Sequence, residues 1–380
     1  MTAGRQVIYV SGTRADFGLM QSALHQIAAV PGLEIGVVVT GMHLDSAYGA
    51  TATEVVAAGL PVVGQVPVEQ GRPSGALMAK NIGTMIIGLV ETFERLSPDI
   101  VLVLGDRGEM LAGAIAATHL SIPLVHIHGG ERSGTIDEPV RHAISKLSHF
   151  HFVATQESRD RLVRMGEDAS RIEIVGAPGL DGLCELARAD KEALYAARRL
   201  NPRRPLVLVL FHPVLDEASA AGDQMRVVLE AALDSGAQVL ALRPNSDAGS
   251  AAMGAELDRR AGASGDLTVV THMPRGEFVS FLKYADVLLG NSSSGIIEAA
   301  SFGTPVVNVG SRQNLRQRNR NVRDVDVEDE AIRAALRMAL AGGRFPAENV
   351  YGDGHAGERI AARLASLDLA PSKLVKINAY

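Results

Sequence analysis

Five carboxylates and an arginine crowd two short stretches of this chain: Asp106 and Glu109 in GDRGE at 105–109, and Glu131, Asp137, Glu138 and Arg141 between residues 131 and 141. Carboxylates sharing one cleft raise one another's pKa, which leaves at least one able to act as an acid or a base near neutral pH. A different chemistry is written at residues 290–298, GNSSSGIIE, where Ser292, Ser293 and Ser294 separate an apolar run from a short helical pattern. Free backbone N–H groups, hydroxyls and the positive end of a helix dipole meet at such a point, which suits a phosphate. The plainer reading is a serine N-cap on an ordinary helix.

The elements that must position these residues alternate regularly. Strand patterns at 7–10, 35–40, 100–104 and 124–128 each end in glycine and polar residues: Arg14 and Asp16, His43, Asp106, then Glu131. Helical patterns lie between them at 17–29, 52–58, 81–96 and 109–119. Such alternation implies βαβ units and a mostly parallel sheet covered on both faces, with every C-terminal strand end on one ligand-binding edge. A polar, helix-prone connection spans 178–201, after which strands at 206–211, 238–242, 267–270, 286–289 and 306–308 end at His212, at Arg243 and Asn245, at the serine loop and at Arg312. Helical patterns at 330–341 and 357–367 close the chain. The expected fold class is α/β with parallel sheets: a domain over 1–180, completed by a C-terminal helix at 362–380, faces a second over 181–361 across a ligand cleft. Carboxylates dominate the first edge and phosphate-type donors the second. Chemistry on a sugar-like group is therefore expected on the first domain, with a nucleotide diphosphate held by the second.

Ordinary roles compete for several of these residues. Glu109 reads as a first-turn acid of its helix, and Asp106 as a possible N-cap. His126 and His128 alternate on a strand, one expected toward the core and one toward the cleft. Glu298 is either solvated or a ribose ligand one turn after the serines. No GxxxxGK[ST] occurs, and no GxGxxG follows the first strand, which argues against an NTPase and a dinucleotide enzyme. No cofactor and no metal are called for.

The 380 residues are 47% hydrophobic and 21% charged, with a net charge of −6. That composition describes a globular protein and offers no basic footprint for nucleic acid. Cys184, alone in the chain, excludes an intrachain disulfide and suits a reducing, cytoplasmic setting. No signal-peptide pattern opens the sequence and no long apolar run stands out, so no membrane partner is expected.

Taken in order, GTRADFG from 12, TGMHLDSAYG from 40, GDRGEM from 105, HIHGGERSGTIDEPVRHAISKLSHFHF from 126, RPNSDAGS from 243, GNSSSGIIEAASFGTPVVNVGSRQ from 290 and YGDGHAGERI from 351 closely resemble the hydrolysing UDP-N-acetylglucosamine 2-epimerases of sialic and legionaminic acid biosynthesis. The resemblance implies two facing Rossmann-like domains of GT-B-like fold. It also implies conversion of a UDP-sugar and water to UDP and the 2-epimerised free sugar, and a homo-oligomer, dimer or tetramer. By motif the catalytic acids fall on Asp106, Glu131 and Glu138, with Arg141 and His212 beside them. Asp137 and Glu138 are adjacent, so either could be the third acid; Glu138 is favoured. UDP and sugar binding fall to Arg14, His43, Arg243, Asn245, Ser292, Ser293, Ser294, Glu298 and Arg312. The substrate expected first is UDP-N-acetylglucosamine, and a UDP-2,4-diacetamido-2,4,6-trideoxy sugar is the alternative, for which Met42, Met110 and Met273 could supply an apolar surface or serve as plain packing. A GT-B glycosyltransferase would share the nucleotide site, but would need an acceptor surface. A non-catalytic nucleotide-sugar sensor would lack the carboxylates that are present here.

Overall fold

The computed structural model describes residues 4–45, 49, 51–71, 74–132, 137–244 and 247–379. Strand β1 (Arg5–Ser11) leads into helix α1 (Arg14–Ala29) through a capping box: the Asp16 N–H donates to the Thr13 hydroxyl at 3.2 Å, and the Thr13 N–H donates to the Asp16 carboxylate at 2.6 Å. Next come β2 (Leu33–Thr40), α2 (Ala52–Ala57), β3 (Val62–Val66) and α3 (Gly75–Leu96), then β4 (Ile100–Leu104) and α4 (Gly108–His119). The first sheet is finished by β5 (Leu124–Ile127), α5 (Asp137–Leu147), β6 (Phe150–Val153), α6 (Gln156–Arg164) and β7 (Ile172–Ile174).

Short helices α7 (Leu183–Leu186) and α8 (Lys191–Ala197) carry the chain to the second sheet. There β8 (Leu206–Leu210), α9 (Ala221–Leu233), β9 (Gln238–Leu242), α10 (Ser250–Ala261), β10 (Leu267–Val270) and α11 (Arg275–Tyr284) precede β11 (Val287–Gly290) and α12 (Ser293–Ile297). The chain ends with β12 (Val306–Val309), β13 (Val322–Val325), α13 (Asp329–Gly342), α14 (Ala356–Ser366) and α15 (Pro371–Leu374).

Both sheets are parallel, in the orders β3-β2-β1-β4-β5-β6-β7 and β10-β9-β8-β11-β12-β13. Each begins in the middle and grows outward in both directions, so β1 with β4 and β8 with β11 flank a switch point, where a crevice opens beyond the carboxyl ends. The central strands IVLVL and LVLVL are buried on both faces, as helices on each side require. Four strands escape the sequence pattern. β6 and β7 are very short, β3 carries a glycine, and β13 is a half-exposed edge, Val-Arg-Asp-Val.

The chain returns to the first domain earlier than residue 362. α14 starts at Ala356, where the Asp181 carboxylate accepts the Ala356 N–H at 2.8 Å, and its Ile360 and Leu364 join the core of Leu24 and Ile27. By length and composition α3 is apolar enough to cross a bilayer, which the sequence reading did not single out. In the fold it packs on α4 and buries Met85, Leu89 and Phe93.

Candidate active site

The carboxyl ends of β4 and β5 hold the acids. Asp106 follows Gly105, and its carboxylate accepts a hydrogen bond from Nη2 of Arg141, a wholly buried guanidinium on α5. Burial and the neighbouring Arg316 push the Arg141 pKa down, so its charge is held at a cost. Glu131 is buried too: Nδ1 of His128 donates to one oxygen at 2.5 Å, and Nη1 of Arg316 stands 3.1 Å from the other. Burial alone would raise the Glu131 carboxyl, but the charges of Arg316 and His128 outweigh it and hold it at about 2. The turn that delivers Glu131 needs glycine at 130: φ is +76°, and a Cβ there would lie 2.3 Å from the Ser158 carbonyl oxygen.

His126 supports this edge from below. Its Nε2 donates to the Gly105 carbonyl at 2.7 Å and its Nδ1 accepts the Ser145 hydroxyl at 3.0 Å, while burial pushes its pKa down to about 3. In the unfolded chain the ring titrates near 6.5. Unfolded protein therefore binds the extra proton as pH falls from about 6.5 toward 3, and stability drains over that window. Calorimetric melting should show a midpoint that falls below pH 6.5, and a shallower fall in His126→Gln; equal slopes would remove His126 from the account.

Other first-domain residues are committed to the scaffold. Asp16 takes the Tyr9 hydroxyl at 2.9 Å, the Ser11 hydroxyl at 2.6 Å and the Thr13 N–H. His43 is buried, with Nε2 on the Ser11 hydroxyl and Nδ1 on that of Thr51, both at 2.9 Å. With both ring nitrogens engaged, it braces the loop from beneath, and the sequence-based assignment to ligand binding is replaced by a structural one. Glu109 fills the space beside Gly12 and Gly41 and lies 3.4 Å from Arg107. Met110 and Met273 pack in the two domain cores, so neither supplies a cleft surface; Met42 stays half-buried in the turn after β2.

On the second edge, Gly290 has φ +141°, and a Cβ there would sit 2.0 Å from the Leu210 carbonyl oxygen, so only glycine lets β11 turn against β8. Asn291 then ties three strand ends together. Its side chain accepts the His212 N–H at 2.7 Å and donates back to the His212 carbonyl at 2.8 Å, while its own carbonyl receives Arg312 at 3.2 Å and Gln313 at 3.0 Å. Ser292 caps α12 and its hydroxyl lies 2.8 Å from that of Ser294; Ser293 stands half-buried beside them. Glu298 is buried and held by Nη1 of Arg275 at 2.7 Å. Burial, assisted by Arg312, pushes His212 down to about 3, which leaves it a neutral imidazole. Arg243 is turned onto Asp258 of α10, and Asn245 lies outside the described residues.

The two edges meet. Arg107 reaches toward Asp247 at 3.9 Å, Arg316 toward Glu131, and Arg14 contacts His272. The negative charge of Asp137 is felt by Arg107 and Arg312, whereas Glu138 sits 3.8 Å from both Arg132 and His142. Each of the adjacent pair thus faces arginine charge, Asp137 that of Arg107 and Arg312 and Glu138 that of Arg132. Arg107, Arg316, Arg275 and Asp247 were missed by sequence reasoning. The signal available was the density of arginines at 312, 316, 318 and 320 after a strand end.

Two parallel-sheet domains facing across a cleft of carboxylates and arginines define a protein of GT-B-like fold. The family described as UDP-N-acetylglucosamine 2-epimerase matches residues 25–365, and the chain belongs to that family. A Legionella pneumophila protein named UDP-N,N'-diacetylbacillosamine 2-epimerase (hydrolyzing) is 48% identical over 376 residues, 99% of this chain and 100% of its own. The Neisseria meningitidis UDP-N-acetylglucosamine 2-epimerase is 36% identical over 92% of this chain and 91% of its own. A crystal structure of UDP-GlcNAc 2-epimerase from N. meningitidis bound to UDP-GlcNAc superposes with a TM-score of 0.82 at 18% identity, covering 95% of this chain and 100% of that one.

Proposed function

We propose that the protein is a hydrolysing 2-epimerase that converts UDP-N,N'-diacetylbacillosamine, a 2,4-diacetamido-2,4,6-trideoxy sugar nucleotide, and water to UDP and the 2-epimerised free sugar. The observation that carries the choice of substrate is the 48% identity, end to end, to the Legionella relative of that name. UDP-N-acetylglucosamine is the second reading, favoured by the 36% identical Neisseria relative.

The reaction runs in two stages. A carboxylate takes the proton from carbon 2 as the carbon 1–oxygen bond to UDP breaks, leaving a 2-acetamidoglycal; water then adds at carbon 1 while carbon 2 is protonated from the opposite face. The acid and base carboxyls are Asp106, Glu131 and, third, Glu138 or its neighbour Asp137. Carbon 2 holds its proton tightly, so the leaving group must be well neutralised. Arg312, neutral His212 and the Ser292–Ser294 turn would receive the diphosphate, and Arg14 and Arg243 would join on release from His272 and Asp258. Arg316–Glu131 at 3.1 Å and Arg107–Asp247 at 3.9 Å bridge the two edges of the cleft. Substrate entry therefore requires the ion pairs across the cleft to part and close again over the ligand.

Each UDP-sugar, incubated with the protein in deuterated water and followed by NMR, tests this. Free UDP with deuterium at carbon 2 of the released sugar is expected, with kcat/KM for the diacetamido substrate higher by at least about tenfold, the worth of one added group contact. UDP-sugar returned intact, or sugar passed to an acceptor, sinks the hydrolytic reading. A preference for UDP-N-acetylglucosamine reverses the substrate order. Glu298, fixed by Arg275, is assigned to the ribose hydroxyls. Glu298→Gln should weaken UDP binding by about tenfold in calorimetric titration, and unaltered affinity would remove that assignment.

A further inference from the structure

A cavity lies between the two domains and shares Glu131 and Arg316 with the site. Thr155 and Ser158, at the start of α6, wall it from the first domain; Arg316, Gln317 and Tyr351 wall it from the second. At about 10 Å³ it is too small for a sugar ring and holds about one water. Three buried polar atoms of its lining residues find no hydrogen-bond partner among the described residues: Glu131 Oε2, Arg316 Nε and Gln317 Oε1. The Arg316–Glu131 contact, at 3.1 Å, is an ion pair not aligned as a hydrogen bond, so a lone pair of Oε2 stays open. Tyr351 is not a competing donor, because its hydroxyl is given to the Gln317 main-chain carbonyl at 2.8 Å. Buried polar atoms left unpaired destabilise the fold, and two acceptors and one donor around a small polar cavity match what one water satisfies.

We propose that this cavity seats the water consumed when the glycal is hydrated, bound by Glu131 Oε2, Arg316 Nε and Gln317 Oε1. The inference rests on the hydrolytic reading above. Once the cleft closes over substrate, bulk water is excluded, and the second stage needs a water already inside. In that stage the water oxygen bonds to carbon 1 and one water proton passes to the Glu131 carboxylate. The carbon 1–carbon 2 π pair takes a proton at carbon 2 from a carboxylic acid on the opposite face. No electrons are gained or lost. Glu131 is held ionised by Arg316 and His128, hence always ready to accept the water's hydrogen bond. A water bonding to an oxocarbenium-like carbon becomes strongly acidic, so a weakly basic carboxylate suffices to take its proton. Gln317 touches neither the leaving group nor carbon 2 in this scheme, and is a positioning residue.

The test separates the two stages in one reaction. Gln317→Met keeps side-chain length and removes the acceptor; Gln317→Glu restores an acceptor at the same place. With the UDP-sugar that the wild-type protein turns over, Gln317→Met should release UDP at close to the wild-type rate, while the share of sugar escaping as 2-acetamidoglycal rises by about tenfold, the worth of one lost hydrogen bond. Gln317→Glu should return that share toward wild type. A wild-type product ratio in Gln317→Met, or equal loss of UDP release and sugar formation in both variants, overturns the water site while leaving the enzyme assignment standing. Wild-type protein that releases neither UDP nor sugar overturns both.

Discussion

Asp106→Asn is expected to lower the rate of UDP release by roughly 10³-fold, within the range of about 10²–10⁴ that a positioned acid or base contributes. The substitution is isosteric, and the asparagine carbonyl can still accept the Arg141 hydrogen bond that fixes this position in the structure. The fold and the arginine cluster should therefore survive, and what is lost is the ability to hold a proton. The magnitude is decisive, because loss of a single hydrogen bond would cost only about tenfold. Affinity for UDP, measured calorimetrically, should stay within about threefold, since the diphosphate is assigned to the opposite edge. A rate within about tenfold of wild type would dismiss Asp106 as the base, and a matching loss of UDP affinity would move it to the nucleotide side. If UDP and 2-acetamidoglycal are both released normally, Asp106 belongs to hydration and another carboxylate of the cleft takes over the first stage.

The difference between residues that could be located from sequence and those that could not has a physical origin. A strand that ends in a polar residue, most often just after glycine, marks the ligand edge of a parallel sheet; Asp106, Glu131, the serines and Arg312 follow a glycine there, and His212 follows Phe211. The same rule placed His43 there, but the turn Gly41–Leu44 folds the ring back under Ser11 and Thr51. Long side chains defeat the rule more often. Arg243 starts at the edge and is drawn along α10 to Asp258, fifteen residues on. Arg316 begins in a loop of the second domain and ends against Glu131 of the first. Asp137 and Glu138 are neighbours about 100° apart around a helix, and which arginines each one faces is set by how α5 docks, a matter of packing that adjacency in sequence does not encode. β6, β7 and β13 were hidden because strands of three or four residues, or with an exposed edge, carry too little hydrophobic alternation to register.

Arg141→Met should separate stability from activity. Arg141 is among the largest wholly buried side chains, and two of its nitrogens, Nε and Nη1, lack a partner among the described residues. Burial and the charge of Arg316 both work against its protonated form. A buried charge with incomplete pairing lowers stability, and replacing one by an apolar side chain of similar volume is often neutral or stabilising by about 1–4 kcal/mol. Asp106, left without its arginine, has 21% of its side chain exposed and can be hydrated from the cleft. The melting temperature of Arg141→Met should therefore equal or exceed that of the wild type. Turnover should fall by about 10²–10³-fold, as when a preorganised electrostatic partner is removed, because Arg141 sets the orientation and charge balance of Asp106. Arg141→Lys should not rescue the rate, since an ammonium cannot reproduce the fork of a guanidinium. A variant that loses turnover only in proportion to a drop in melting temperature would make Arg141 a scaffold residue. One that melts higher and turns over slowly would show that the cleft carries a buried charge at the expense of stability, for the sake of the acid beside it.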